Sequence, residues 1–137
     1  MKNRLAVLVI EDDQIERMKL KRATSLLEMN HNIIEAKNGE EALDLLEDKS
    51  NLPDIILLDL NMPKMNGIEF LRTLKEDEVL KYIPSIVLTT STNPKDVLES
   101  YKIGIAGYII KPLKYEDYVS LVEKTLEYWS INELTKK

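Results

Sequence analysis

The sequence predicts an α/β fold in three layers, a five-stranded parallel sheet with helices on both faces. Two observations carry that prediction. Four short apolar runs end in polar groups: LAVLVI before Glu11, Asp12 and Asp13, DIILL before Asp59, SIVL before Thr89 and Thr90, and GYII before Lys111 and Pro112. They are continuous rather than alternating, as strands covered on both faces are. Amphipathic stretches separate them and a weaker fifth run, so the chain reads as successive βαβ units with right-handed crossovers.

Taken in order, LAVLVI is followed by a helix over about residues 14–27, with Ile15, Met18, Leu20, Leu26 and Leu27 among Lys19, Lys21 and Arg22. The weaker strand, 32–36, carries no terminal polar group. Gly39 then opens a helix containing Ala42, Leu43, Leu45 and Leu46. Ile55 to Leu58 is too short for a helix and reads as a buried strand. The turn formers Asn61, Pro63, Asn66 and Gly67 place Asp59 where strand becomes loop. After Gly67, the residues Ile68, Phe70, Leu71 and Leu74 are spaced for one buried face. EDEVLKYIPS is a longer loop closed by Pro84. Asn93 and Pro94 make a cap and first turn, and Gly104 a stop, for a helix with Val97, Leu98 and Tyr101. The last helix covers about 115–128, with Tyr118, Leu121, Val122, Leu126 and Trp129 inward or half-buried. The terminal INELTKK is expected to fray.

At 137 residues and 44% hydrophobic content the chain suits one domain, 1–137, with a core over about 4–129 and a tail over about 130–137. That leaves little room for an attached output domain. With 24 acidic and 19 basic residues the formal charge is −5, which argues against generic binding to nucleic acid. Cysteine is absent, so there is no disulfide framework, thiolate metal site or cysteine nucleophile. LAVLVI is too short for a signal peptide core or a membrane span, and a soluble cytoplasmic protein is expected.

Asp59 alone has two readings, a strand terminator or a site residue. A parallel sheet decides between them by bringing the strand ends to one edge, which gathers Glu11, Asp12, Asp59, Thr89 and Lys111. Two carboxylates about 4 Å apart repel by roughly 4 kcal/mol at an effective dielectric near 20, so three acids call for a cation. Oxygen-only ligands favour a hard ion, and few carboxylates with open water positions suit Mg²⁺ better than a full Ca²⁺ cage. Lys111 and the Thr89 hydroxyl supply a positive charge and a hydrogen-bond donor for an anion. Together these groups point to phosphoryl transfer, with a carboxylate attacking in line.

Glu11 and Asp12 after VLVI, Asp59 in LLDLNMPKMNG, Thr89 in IVLTTS, and Tyr108, Lys111 and Pro112 in GYIIKP make the sequence resemble the receiver domain of two-component response regulators over essentially its whole length. The resemblance implies the flavodoxin-like fold with strand order 2-1-3-4-5. It also implies that Asp59 is the phosphoacceptor, Asp12 a direct Mg²⁺ ligand and Glu11 an acid that reaches the metal through water. Asn61 would contribute its backbone carbonyl, and Mn²⁺ could substitute for Mg²⁺. Thr89 and Lys111 would contact the phosphoryl oxygens, and Tyr108 would report the switch. The implied donor is a histidine kinase or histidine phosphotransfer protein docking near the first helix through Ile15 and Met18. The implied output is a downstream protein or a homodimer, engaged through a surface carrying Tyr101, Tyr108 and Tyr118. Such a protein assists its own phosphorylation and dephosphorylation without turning over a separate substrate. LKYIPSIVLTTS, Asn61 and the Tyr128/Trp129 pair look most like the single-domain regulators associated with phytochrome-type kinases. Glu11 stands where Asp is more usual, keeping the charge. Thr90 stands where the family often has a smaller residue, so small phosphodonors are expected to react more slowly than a kinase.

Simpler roles are expected elsewhere. Asp13 caps the first helix, His31 is a surface residue rather than a phosphocarrier or ligand, and Tyr115 is half-buried packing. Trp129 is a helix-end packing residue, or, with Tyr128 exposed, part of an interface. Two competing functions fit the residues less well. A receiver that has lost phosphorylation would lack some acceptor-site residue types, and all are present. A phosphohydrolase of the haloacid dehalogenase type would show a second Asp where Asn61 stands.

Overall fold

The strand Ile55–Leu58 is buried at all four positions and lies at the middle of the sheet. The computed structural model describes residues 4–135. Its strands are β1 (Ala6–Ile10), β2 (Asn32–Ala36), β3 (Ile55–Leu58), β4 (Ser85–Thr89) and β5 (Gly107–Ile110). All pairings are parallel and the order is β2-β1-β3-β4-β5, as the resemblance implied. The helices are α1 (Gln14–Leu26), α2 (Gly39–Leu45), α3 (Gly67–Glu76), α4 (Pro94–Ile103) and α5 (Tyr115–Ser130).

Alternation along the strands divides the core in two. Leu8, Ile10, Ile56, Leu58 and Val87 face one way, against Ala42 and Leu46 beside α2 and Phe70, Leu71 and Leu74 of α3. Val7, Val9, Ile55, Leu57, Ile86 and Leu88 face the other, against Leu20 and Ala23 of α1 and Tyr118, Val122 and Leu126 of α5. Burying each of the larger side chains contributes about 1.5–3 kcal/mol, and the parallel pairing puts the carboxyl ends of all five strands at one edge.

Polar side chains start the helices. Asp13 accepts from the Ile15 N–H at 2.8 Å, the capping role expected of it. Asn38 accepts from the Glu41 N–H, and Asn66 with Glu69 forms a reciprocal capping box. Asn93 and Pro94 begin α4, and Gly104 ends it at φ 117°, in the left-handed region that glycine tolerates. On α1 the apolar residues do not share one face. Leu20 and Ala23 are buried, while Ile15, Met18 and Leu26 are exposed.

Three segments depart from expectation. The loop before β4 contains a 3₁₀ turn, Leu80–Tyr82. The Asp77 carboxylate organises it, accepting from the N–H groups of Leu80 and Val79 and from Lys49, which hold the carboxyl down at about 2. Leu134, in the stretch expected to fray, packs against the α1/α5 layer; residues 136 and 137 of that stretch lie outside the described residues. His31 is half-buried rather than a simple surface residue, because its Nδ1 accepts from the Leu5 N–H at 2.9 Å and ties the start of β2 to β1.

That bond requires a neutral imidazole. Burial, helped by the charge of Arg4, lowers the His31 pKa below 6.5. With the folded value depressed, the stabilisation is complete above the unfolded value and is lost as pH falls through the folded one. Stability measured by urea unfolding is therefore expected to fall as pH drops below the ordinary imidazole value of 6.5, and His31→Asn, whose Oδ1 stands near the place of Nδ1 and accepts without titrating, is expected to flatten that slope. The chain has one histidine, so an unchanged slope in the variant would contradict the assignment.

Candidate functional site

The sheet ladder continues one residue past three of its strands, and each of those residues carries a charge. The Glu11 N–H donates to Ala36 O at 3.0 Å, that of Asp59 to Ile10 O at 3.1 Å and that of Lys111 to Thr89 O at 2.8 Å. Backbone pairing thus fixes all three at the carboxyl edge, where open parallel sheets hold ligands. Asp12 follows on the exposed side. Carboxylate oxygens of Glu11, Asp12 and Asp59 lie within 4.8 Å of one another.

Lys111 crosses this cluster. Its Nζ is 2.7 Å from Glu11 Oε1, 3.2 Å from Glu16 Oε1 and 4.0 Å from Asp59 Oδ2. The Glu11 and Lys111 side chains are only 8% and 9% exposed. Burial raises the Glu11 carboxyl against the hydrogen bond and charge of Lys111. Burial also pulls the Lys111 amine down, but the hydrogen bond to Glu11 and the charges of Glu11, Asp59 and Glu16 outweigh it and leave the amine raised. The two directions conflict for an ion pair. A 2.7 Å contact is a charge-assisted bond, so the lysine's direction describes the pair: an ammonium facing a carboxylate. Glu11 Oε2 also accepts from the Asp13 N–H at 3.2 Å, so both of its oxygens are engaged.

Asn61 lines the same cavity, with Thr90, Pro112 and Leu113, and its N–H donates to Asp59 Oδ1 at 3.4 Å. Of the two threonines, Thr90 stands on the wall. Thr89 is fully buried at the same strand end, and its hydroxyl accepts from the Ser91 N–H at 3.3 Å. Tyr108 on β5 is half-buried and donates to Ser91 O at 2.9 Å. Ser91 also donates to Asp96 in the first turn of α4 at 2.6 Å. The strand ends therefore meet α4 through Ser91.

Tyr118 is inward, as the period of its helix predicts, which corrects its expected place on a surface with Tyr101 and Tyr108: it is 2% exposed and packs on the other face of the sheet, in the α1/α5 layer, with Lys19 Nζ 4.8 Å above its ring. Tyr101 is exposed as expected. Tyr128 is exposed, while Trp129 meets it edge to face and packs against the α1/α5 core layer. Glu16 was missed by sequence reasoning. It stands in the first turn of α1, just past the capping Asp13.

The donor set is oxygen alone, three carboxylates beside a backbone turn, which fits a hard divalent cation and no softer one. A doubly wound flavodoxin-like sheet with acids and a buried lysine at its carboxyl edge defines the class. Residues 7–123 match the response regulator receiver domain, and the chain belongs to that family. It is 39% identical over 127 residues to the probable methanogenesis regulatory protein FilR2 of Methanothrix harundinacea, covering 90% of this chain and 82% of the relative. It is 32% identical over 128 residues to response regulator Rcp1 of Synechocystis sp., covering 90% and 87%. The crystal structure of the phosphorylated cyanobacterial phytochrome response regulator RcpA superposes with TM-score 0.89 at 31% identity, over 96% of this chain and 99% of that one. Receiver domains accept phosphate from histidine kinases and bind a divalent metal at an acidic pocket. Among the described residues no helix is long and apolar enough to cross a membrane.

Proposed function

We propose that this chain is a cytoplasmic single-domain receiver that takes a phosphoryl group from a phosphohistidine onto Asp59 in a Mg²⁺-dependent reaction. The observation that carries this is the Glu11, Asp12 and Asp59 cluster, within 4.8 Å, facing one buried ammonium. An Asp59 oxygen attacks phosphorus, the P–N bond to the donor histidine breaks, and the imidazole leaves with the electron pair and takes up a proton. Mg²⁺, or Mn²⁺ in its place, would be held by Asp12, Asp59 and the Asn61 carbonyl, with Glu11 reaching it through water, and would supply charge neutralisation when bound. Lys111 stands close enough to Asp59 to meet the new phosphoryl oxygens. If the Thr89 hydroxyl turns to them, it releases the Ser91 N–H, which loosens the hydrogen bonds that join Ser91 to Tyr108 and Asp96. That biases the surface formed by α4, β5 and α5 toward a partner or a second copy. The donor, a histidine kinase or phosphotransfer protein, docks beside α1, where Ile15 and Met18 are 68% and 60% exposed. Likeness to Rcp1 and RcpA supports a phytochrome-type kinase as that donor.

Intact-mass measurement tests this reading. The protein incubated with Mg²⁺ and either acetyl phosphate or a phosphorylated histidine kinase is expected to gain one phosphoryl group, more slowly from acetyl phosphate past the Thr90 wall, and to gain none when EDTA removes the metal. An unaltered mass with every donor would favour an interaction module without phosphorylation.

A further inference from the structure

Lys111 has more carboxylate around it than a single phosphoryl contact requires. Besides Glu11 at 2.7 Å, the Glu16 carboxylate of α1 stands 3.2 Å from its Nζ, closer than Asp59 at 4.0 Å. Glu16 is not a loose surface acid. Its other oxygen lies 3.3 Å from Lys19 Nζ, and that ammonium sits 4.8 Å above the ring of the buried Tyr118. One ammonium is therefore shared among three carboxylates, with the presumptive acceptor the most distant of them.

We propose that Glu16 is a positioning residue for Lys111: it holds the ammonium back from Asp59 and so sets how readily the site takes and keeps a phosphoryl group. This rests on Asp59 being the acceptor. When Asp59 gains a phosphoryl group, the new oxygens compete with Glu11 and Glu16 for the Lys111 ammonium. Releasing Glu11 would give up the shortest of its contacts, a 2.7 Å charge-assisted bond to a carboxylate that is 8% exposed, which is the costlier choice. Glu16 is 23% exposed and retains Lys19, so it is the partner that lets go. Until then its negative charge opposes every anion that approaches Asp59, and competes with that anion for Lys111. Glu16→Gln keeps the length and an oxygen for Lys111 but removes the charge, and Glu16→Asp keeps the charge.

The test compares the wild type, E16Q and E16D at saturating Mg²⁺. Affinity for beryllofluoride, a phosphoryl mimic, is followed by amide NMR, and the rate of labelling by acetyl phosphate by intact mass. E16Q is expected to bind beryllofluoride about fivefold more tightly and to label about fivefold faster, with E16D within about twofold of the wild type. Equal behaviour of E16Q and wild type, or equal gains in E16Q and E16D, would overturn the proposal. If the wild type takes neither ligand, the acceptor assignment of Asp59 fails instead. The Lys111 ¹⁵Nζ resonance of the protein without donor then still decides the role of Glu16: E16Q is expected to shift it, and no shift overturns the proposal.

Discussion

Asp59→Asn is expected to abolish labelling by acetyl phosphate and by a phosphorylated kinase, and at the same time to make the metal-free protein more stable. The first effect follows from chemistry, since an amide offers phosphorus no carboxylate nucleophile. The second follows from charge. Asp59 has two carboxylate neighbours within 4.8 Å and one ammonium at 4.0 Å, which is already closer to Glu11 and Glu16. About one repulsion is left unbalanced, worth about 1–3 kcal/mol between the dielectric of water and that of a protein surface. Its removal is expected to raise Tm in EDTA by a few degrees, about 3–8 °C for a chain of this size. Mg²⁺ at millimolar concentration is expected to raise the wild-type Tm, because binding only the folded state stabilises it, and to shift the variant less. Thermal unfolding with and without Mg²⁺, alongside intact mass after phosphodonor treatment, checks both halves. A variant that still labels would remove Asp59 from its role. One that loses stability in EDTA would show that the acids do not strain the apo fold.

The parts of this site that were legible in the sequence are the strand ends. In a doubly wound sheet the boundary between apolar strand and polar loop is also the boundary between core and ligand edge, so Glu11, Asp59 and Lys111 announce their location by composition alone. Helical caps such as Asp13 and Asn93 are equally local signals, written within four residues. What could not be read depends on how a helix is rotated about its axis. The sequence puts Glu16 in the first turn of α1, but only packing of Leu20 and Ala23 against α5 and the sheet turns it toward Lys111. On α5 the apolar period does place Tyr118 inward, and that packing takes it off the surface with Tyr101 and Tyr108 that the resemblance implied. His31 and Asp77 were missed for another reason. Each satisfies backbone N–H groups, and such a bond has no signature in the pattern of apolar residues.

Gly67→Ala is expected to cost about 2–4 kcal/mol, against the sign that helix propensity predicts. In the sequence Gly67 reads as a turn former, and at the first position of α3 alanine should be the better residue by up to about 1 kcal/mol. The structure gives the glycine a different reason. A Cβ there would lie 2.7 Å from the Asp59 carbonyl oxygen, 2.7 Å from Leu60 Cα and 2.9 Å from Leu60 Cδ2. Two of these three are backbone atoms, tied further by the Gly67 N–H bond to Leu60 O at 3.0 Å, so the neighbours cannot swing aside as a flexible side chain would. Strand and helix must separate, and the backbone that yields is the one carrying Asp59. The substitution is therefore expected to lower Tm by about 10 °C and to slow Mg²⁺-dependent labelling about tenfold or more, since a misplaced nucleophile loses far more rate than stability. Urea unfolding and intact-mass kinetics on the same preparation separate the two losses. A variant as stable as the wild type, with unchanged labelling, would show that α3 can move off β3 without disturbing Asp59, and that the close approach at Gly67 does not hold the acceptor in place.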